Sequence, residues 1–245
     1  SLKALHRSGL LGRLLDDGFT HLSYCQVDNP LVKLVDPVFL GFHEESGAEC
    51  STKVVRRRDV NEKVGVYVSA GGRDAIVEYS DLGPEYMAAL DNKGEILYWA
   101  GNTAIHIFSL SFIRRLTEGA FALPFHCAVK TVEHLDGLGK QAQSKAWKFE
   151  TFVFDAIPLA RKTCCMEVPR EEEFSPVKNK DGEDSPATAR RAMSDLYRGW
   201  LRDTGIRVPE ENMVEISPLF AMDKEDFLRK VKGGNVSLKG NVYFG

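Results

Sequence analysis

Asp28 is the residue whose type and position most directly suggest chemistry. It follows an apolar, β-prone run from Phe19 to Val27 and precedes Asn29 and Pro30, which are strong strand breakers. A carboxylate at the end of a strand can hold Mg²⁺, which in turn bridges substrate phosphates. On its own, however, an Asp-Asn-Pro sequence is more often a strand cap and the start of a turn. Asp28 is therefore a candidate metal ligand that needs support from other parts of the chain.

Other polar and aromatic residues are ambiguous when each is taken alone. Lys178 stands in a charged, turn-rich stretch from Pro169 to Asp184, where a lysine is ordinarily a solvated surface group. Phe152 and Phe154 fall on one face of a predicted strand, so core packing is their expected role. Glu78 has the pattern of an exposed strand residue. None of these residues indicates a function without a wider pattern.

Composition excludes several classes of function. The 245 residues are 43% hydrophobic, which is enough for a substantial core, and the net charge of -3 provides no positive field for DNA or RNA. Five cysteines without a C-x-x-C pair indicate neither a disulfide framework nor a zinc ribbon, and a reducing cytosol fits them best. We find no membrane-anchoring run and no signal peptide. The chain starts without Met inside a predicted helix, so we expect its N-terminus to be a cut.

Helices and strands that alternate along the chain must position these residues. They predict an α/β fold with a mixed, mostly parallel sheet flanked by helices, in which ligands bind beyond the carboxyl ends of strands. We expect a first part over residues 1–168 and a smaller C-terminal region over 169–245. His106, on a predicted apolar helix, is expected to be structural. The predicted strands are 19–27, 49–56, 63–69, 74–79, 96–99, 147–154, 164–168 and 214–219, and the predicted helices are 2–15, 31–42, 103–116, 156–162, one capped by Ser185 with Pro186 at its first position, and 224–231.

Seven stretches in a fixed order resemble the eukaryotic-type UDP-N-acetylglucosamine pyrophosphorylases and their bacterial relatives. Each stretch is weak alone, but seven in the family's order are hard to obtain by chance. The resemblance implies a nucleotide-diphospho-sugar transferase (GT-A-like) fold and a uridylyltransferase that joins N-acetylglucosamine 1-phosphate to UTP, with release of pyrophosphate. The stretches are Tyr24 to Asn29 with Leu31 to Lys33, Ala48 to Val55, Val77 to Ser80, Ala100 to Asn102, Phe152 to Asp155, Arg170 to Asn179, and Asp184 to Pro186 with Thr188 to Arg190.

The resemblance also assigns roles to individual residues. It implies that Asp28 is a catalytic residue and the ligand of a Mg²⁺ cofactor, and that Lys178 is a catalytic residue that meets the phosphates. For the sugar, it implies ring and acetamide contacts from five residues: Gly65 through its backbone, Glu78, Asn102, Phe152 and Phe154. A carboxylate accepts from two hydroxyls, an amide donates and accepts, and aromatic rings cover a methyl group, so these residue types suit the ligand.

One part of the family pattern is absent from this sequence. No G-x-G-T-R-L-like segment occurs, so the glycine-rich loop that should hold the UTP phosphates is missing. We therefore expect a fragment with the sugar side of the site, inactive alone, whose partners are UTP and a hexosamine 1-phosphate rather than nucleic acid or membrane. A glucose 1-phosphate or broad-specificity uridylyltransferase, and a non-catalytic sugar-nucleotide-binding piece, stay open as alternatives, as does the oligomeric state.

Overall fold

The computed structural model describes residues 1–119, 123–233 and 236–245. They form two compact units: Ser1–Tyr24 with Pro37–Met166, and Cys25–Asp36 with Glu167–Gly245. The sequence-based division after residue 168 placed residues 25–36 in the first part, whereas in the structure they pack in the second unit. Within the described ranges, no helix combines the length and apolar character needed to cross a membrane.

Short helices and strands alternate in the first unit. Two of their boundaries have clear local causes: α3 begins at Pro37, whose fixed φ suits a first helical turn, and Gly9, with a φ of 74°, separates α1 from α2. In chain order they are α1 (Leu2–Arg7), α2 (Leu10–Asp16), β1 (His21–Tyr24), α3 (Pro37–Ser46), β2 (Cys50–Arg56), β3 (Val66–Ala70), β4 (Arg73–Val77), α4 (Tyr79–Leu82), α5 (Pro84–Met87), β5 (Ala100–Ser109), α6 (Leu110–Thr117), β6 (His126–Leu135), β7 (Gln141–Glu150), a 3₁₀ helix (Val153–Leu159) and β8 (Thr163–Glu167).

The long strand β5 is the centre of the first unit's six-stranded sheet. The strand order is β4-β3-β5-β2-β8, and β1 also pairs with β5. Strand β2 runs along one edge of β5, while β3 and β1 share the other edge, near Gly101 and near His106 respectively. Helices α1, α2 and α6 and the 3₁₀ helix contribute to the core, in which Phe108, Phe112 and Ile113 are completely buried.

The pairing within this sheet corrects one expectation. The α/β class with a central sheet and helices is confirmed, but every pairing of defined register in this sheet, β1–β5, β2–β5, β3–β4 and β3–β5, is antiparallel. The expectation of a mostly parallel sheet is therefore wrong for these strands. A two-residue connection through Gly71 and Gly72, both with positive φ, allows only an antiparallel β3–β4 hairpin, as their sequence predicted.

The helix predicted over 103–116 is also wrong in its first half. Residues Ala100–Ser109 form β5, and the helix α6 starts at Leu110. All positions of β5 before Ser109 are buried, so the strand lacks the polar-apolar alternation that distinguishes a strand from a buried helix. The strand expected over 96–99 is reduced to a single bridge between Leu90 and Ile96.

The second unit has its own core around helix α8. Ser185 caps this helix by accepting a hydrogen bond from the Thr188 N–H, and Pro186 is its first residue, which confirms the predicted start. Leu201 and Phe227 are completely buried in the core of this unit. Two parallel strand pairs lie here, β10 (Val214–Ile216) with β12 (Val242–Phe244) and β9 (Ile206–Arg207) with β11 (Val236–Ser237). The elements are α7 (Arg170–Glu173), α8 (Pro186–Asp203), β9 (Ile206–Arg207), β10 (Val214–Ile216), α9 (Lys224–Lys230), β11 (Val236–Ser237) and β12 (Val242–Phe244).

The half-buried carboxylate of Asp74 ties β3, β4 and β8 together. The Tyr67 hydroxyl donates to Asp74 Oδ2 at 2.6 Å, and the Thr163 hydroxyl donates to the same oxygen. Burial alone would raise the pKa of Asp74, but the hydrogen bonds from Thr163 and Tyr67 outweigh it and hold that pKa below its ordinary value. The ionised carboxylate therefore stabilises the fold above its unfolded-state pKa, and this contribution is lost as the pH falls through the folded-state pKa.

We predict that Tyr67→Phe, which keeps the ring and removes one donor, lowers the free energy of unfolding by about 2 kcal/mol at neutral pH. The difference from wild type should shrink in acid, where Asp74 is protonated. Urea denaturation at neutral and acidic pH measures both effects. Tyr86→Phe, at a half-exposed tyrosine, is the control and should change little. Equal losses for the two variants would contradict the role given to the Asp74 carboxylate.

Candidate functional site

Asp28 lies beside the loop that carries Lys178, and both residues belong to the second unit. The backbone N–H of Val177 donates to the Asp28 carbonyl at 2.8 Å, and Lys178 is the next residue along the chain. Asp28 is half-buried and Lys178 is exposed. This backbone hydrogen bond thus brings Asp28 close to Lys178, although the two residues are 150 positions apart in the sequence.

The buried side chain of Asn29 holds this arrangement together through three hydrogen bonds. Its Nδ2 donates to the Glu173 carbonyl at 2.7 Å, and its Oδ1 accepts from the N–H groups of Ser175 at 3.0 Å and Leu31 at 3.3 Å. Only 3% of Asn29 is exposed, so these backbone groups have no ready replacement partner in water. Asn29 therefore fastens the turn after Asp28 to the segment before Lys178. We call these three bonds the Asn29 clasp.

The loop after Lys178 closes on itself before helix α8. The N–H groups of Lys178 and Asn179 both donate to the Asp184 carbonyl, at 2.7 and 2.9 Å. Asp184 has a φ of 49°, a left-handed conformation in which Asp is one of the better tolerated non-glycine residues. The turn leads directly to the Ser185 cap. This closure defines the backbone around Lys178 while its ammonium group extends from an exposed position.

Asp28 has the donor chemistry that Mg²⁺ requires. Within residues 1–119, 123–233 and 236–245, no three His, Cys, Asp or Glu side chains are grouped so that they could hold a metal ion by themselves. Mg²⁺ does not need such a closed cage, because it keeps several waters and is commonly bound by one or two carboxylates together with substrate phosphates. A single half-buried carboxylate next to a lysine loop fits that mode of binding.

In the first unit, Gly65, Glu78 and Asn102 lie together where β3, β4 and β5 meet. The Asn102 N–H donates to the Gly65 carbonyl at 2.8 Å. A Cβ atom added at Gly65 would lie 3.0 Å from Glu78 Oε1, so the carboxylate covers this stretch of backbone and a side chain at Gly65 would displace it. Glu78 follows β4 directly and occupies the N-cap position of α4, where its carbonyl accepts from the N–H groups of Asp81 and Leu82. Three of the five residues implied for the sugar are thus direct neighbours.

A bulge in β5 orients the Asn102 side chain. Val54 of β2 faces Asn102 and Lys53 faces Ile105, so two extra residues of β5, Thr103 and Ala104, lie between them. Ala104 has a φ of 57°, which is unusual for a residue other than glycine, and its N–H donates to Asn102 Oδ1 at 2.9 Å. This bond uses one lone pair of Oδ1 and fixes the orientation of the amide, whose nitrogen is the donor that Asn102 can present to a ligand.

Phe152 and Phe154 form a stacked pair with ring centroids 4.7 Å apart and planes 12° apart. The alternating sequence predicted that they share one face of a strand, and this prediction is wrong. Strand β7 ends at Glu150, and the 3₁₀ helix begins at Val153. Asp155 causes this change, since its Oδ2 accepts from the Phe152 N–H at 3.3 Å and closes the first turn of that helix. The 3₁₀ helix packs against β4, the strand that leads to Glu78.

His106 has the environment of a structural histidine, although it lies in β5 and not in a helix. It is completely buried, and its Nδ1 is hydrogen-bonded to the Thr52 hydroxyl at 3.0 Å. Burial lowers the pKa of His106 to about 3, so the ring is neutral at physiological pH. This agrees with its exclusion from the candidate site.

Sequence reasoning missed the groups that support the site. The breaker Asn29-Pro30 signalled a turn but not the contacts of Asn29 with Glu173 and Ser175, which are distant in sequence. Ala104 carries no sequence signal for a left-handed conformation. His126, which contacts Phe152 with ring centroids 4.7 Å apart, lies in a hairpin strand that the sequence pattern did not reveal.

Comparison with known families decides the family of this chain. Residues 2–239 match the family described as UTP–glucose-1-phosphate uridylyltransferase. The chain belongs to this family. The match covers nearly the whole sequence and confirms the resemblance to UDP-sugar pyrophosphorylases that the motifs indicated.

Two individual relatives show which members of the family the chain is similar to. The UDP-N-acetylhexosamine pyrophosphorylase-like protein 1 of Mus musculus is 40% identical over 205 residues, which cover 81% of this chain and 40% of that protein. The UDP-N-acetylglucosamine pyrophosphorylase of Saccharomyces cerevisiae is 36% identical over 226 residues, which cover 88% of this chain and 47% of the yeast protein. This family member thus spans less than half the length of these two relatives.

A solved structure supports the same assignment. The crystal structure of an Entamoeba histolytica protein described as a UDP-N-acetylglucosamine pyrophosphorylase superposes with a TM-score of 0.86 at 30% identity. The superposition covers 100% of this chain and 61% of that one. The fold of this family member is therefore that of the UDP-sugar pyrophosphorylases.

We predict that Asn29→Ala lowers the free energy of unfolding of the second unit by about 2–4 kcal/mol, because it leaves several buried backbone groups without partners. Amide hydrogen exchange near residues 173–178 should accelerate in parallel. Asn92→Ala, at an exposed asparagine in the first unit, is the control. Unchanged exchange in Asn29→Ala would contradict the role of the clasp.

Proposed function

We propose that the full-length protein joins a hexosamine 1-phosphate, preferentially N-acetylglucosamine 1-phosphate, to UTP and releases pyrophosphate. The observation that carries this proposal is the cluster of Gly65, Glu78 and Asn102, in a chain that belongs to the uridylyltransferase family. Relatives at 36–40% identity whose names specify N-acetylglucosamine or N-acetylhexosamine support the choice of acceptor.

The chemistry of the cluster suits an acetamido sugar. A carboxylate such as Glu78 accepts from neighbouring sugar hydroxyls, and the Asn102 amide nitrogen donates to a carbonyl or hydroxyl oxygen. The stacked rings of Phe152 and Phe154 offer an apolar surface of the kind that excludes water from a methyl group. An acceptor without the acetamide would leave the Asn102 amide nitrogen and the aromatic surface without a partner. Groups left unpaired in this way are the usual reason that an enzyme discriminates between related substrates.

The second unit supplies groups for the phosphates. In transfer of this kind, an oxygen of the sugar phosphate attacks the α-phosphorus of UTP in line, and the protein contributes mainly positioning and charge neutralisation. We propose that the Asp28 carboxylate holds Mg²⁺, which would supply charge neutralisation at the phosphates. Lys178 adds a positive charge from the loop that the Asn29 clasp keeps next to Asp28.

Two alternatives differ in measurable ways. A glucose 1-phosphate uridylyltransferase is suggested by the family description, and it would show no preference for the acetamido sugar. A non-catalytic sugar-nucleotide-binding piece would bind the sugar nucleotide without turnover, even when tested in the full-length form. The cytosol is proposed as the location because none of the five cysteines, all of which are described, forms a disulfide.

We predict that Asp28→Ala in the full-length protein lowers Mg²⁺-dependent kcat by at least about 100-fold, because it removes the carboxylate that positions the ion. Pyrophosphate release from UTP and N-acetylglucosamine 1-phosphate is the readout. The thermal unfolding midpoint should stay near the wild-type value, since the carbonyl of residue 28 still accepts from Val177. Asp17→Ala, at an exposed helix end, is the control. Near-normal turnover of Asp28→Ala removes the residue from the mechanism.

We predict that Asn102→Asp reduces the kcat/KM ratio of N-acetylglucosamine 1-phosphate to glucose 1-phosphate by about 10–100-fold. The aspartate keeps an oxygen for the Ala104 N–H, so the bulge is retained while the amide donor is lost. Substrate competition in the full-length protein measures the ratio, with Asn61→Ala at an exposed site as the control. An unchanged ratio would show that Asn102 does not contribute to selectivity for the acetamide group.

A further inference from the structure

His126 joins two segments of the candidate sugar pocket. Its Nε2 lies 3.0 and 3.2 Å from the two carboxylate oxygens of Asp155, and its Nδ1 lies 3.3 Å from Asp81 Oδ2. Asp155 is 12% exposed and Asp81 is 52% exposed, so the stronger contact is the more buried one. Because both ring nitrogens face carboxylates, both must donate, and only the imidazolium form can do so.

Each carboxylate belongs to a segment that carries a candidate sugar residue. Asp155 accepts from the Phe152 N–H at 3.3 Å, and the His126 ring lies against Phe152 with centroids 4.7 Å apart. Asp81 lies in α4, and its N–H donates to the Glu78 carbonyl at 2.9 Å. The His126 side chain thus connects the aromatic pair with the turn that holds Glu78.

We propose that His126 is a positioning residue of the sugar pocket, whose protonated ring holds Phe152 and the Glu78 turn together, so that acceptor binding weakens when the ring loses its proton. The inference rests on the proposed function and deepens it, because it adds a residue that controls the same pocket. His126 itself is not placed in contact with the substrate.

The charges around His126 favour its protonated form. Burial would lower the pKa of His126, but the hydrogen bonds and charges of Asp155 and Asp81 outweigh burial and raise that pKa above its ordinary value of 6.5. On the adjacent strand, Glu150 faces His126 in register and adds a further negative charge near the ring, while it also pairs with Lys148 at 2.7 Å and lies near Lys130. The contribution of the charged ring is therefore present below the unfolded-state pKa and is lost as the pH rises through the folded-state pKa.

The first measurement follows the histidine directly. The ¹H–¹³C signals of the histidine ring Cε1–H groups of the full-length protein are titrated with pH, and His126 is assigned by its absence in His126→Gln. We expect His126 to titrate above the ordinary histidine range and to titrate at lower pH in Asp81→Asn, which removes one exposed carboxylate. By reciprocity, N-acetylglucosamine 1-phosphate should raise the pKa of His126 further. If the pKa of His126 lies in the ordinary histidine range and is the same in Asp81→Asn as in wild type, the proposal is overturned.

The second measurement follows acceptor affinity. In wild type, the KM for N-acetylglucosamine 1-phosphate should rise about tenfold from about pH 7 to about pH 9 with little change in kcat, over a range in which the substrate phosphate is already dianionic. In His126→Gln the KM should be high and independent of pH, and in Asp81→Asn the rise should begin at lower pH. His134→Gln, in the same hairpin, should retain the wild-type profile.

The possible failures are distinguishable. If wild type neither binds nor turns over the sugar phosphate at any pH, the proposed function fails and this inference fails with it. If binding and turnover are normal but His126→Gln and Asp81→Asn follow the wild-type pH profile, the proposed function stands and only the role of His126 is overturned.

Discussion

The hydrogen bonds of one buried amide, Asn29, hold Asp28 beside the loop that carries Lys178. The chain leaves the first unit after Tyr24, contributes residues 25–36 to the second unit and returns at Pro37. Without a strong attachment to the rest of the second unit, this segment would have no defined position, and neither would Asp28. Asn29 supplies that attachment through bonds to Glu173 and Ser175, which bring a carboxylate from early in the chain to a lysine loop late in it. Because phosphoryl transfer depends mainly on positioning, the proposed roles of Asp28 and Lys178 depend on these hydrogen bonds.

The cluster of Gly65, Glu78 and Asn102 in the first unit depends on a different feature, a deformation of the central strand. The bulge at Thr103 and Ala104 places a non-glycine residue at positive φ and uses its N–H to orient Asn102. Such strain persists only where surrounding structure enforces it, and it is concentrated at functional sites. Gly65 adds a second local requirement, since a Cβ atom there would press on the Glu78 carboxylate. Both features lie within the first unit.

The sequence predicted best what depends on neighbouring residues. The Ser185 cap with Pro186 and the Gly71-Gly72 hairpin are local signals, and both are confirmed. It failed where burial removes periodicity, as in β5, and where an alternating pattern concealed a turn, as for the 3₁₀ helix that carries Phe154 and whose first turn the nearby Asp155 closes. The candidate site residues came from the family pattern, whereas their supports, Asn29, Ala104 and His126, are visible only in three dimensions. No local propensity encodes a hydrogen bond between residues 29 and 173.

We propose that this chain carries the pocket of a uridylyltransferase that prefers an acetamido sugar. The most direct test is the ratio of kcat/KM for N-acetylglucosamine 1-phosphate to that for glucose 1-phosphate, measured with the unmodified full-length protein, UTP and Mg²⁺. A pocket with an amide donor and a stacked aromatic pair should favour the acetamido sugar by at least about tenfold. Equal efficiencies, or a preference for glucose 1-phosphate, would show that this pocket does not select the acetamido sugar.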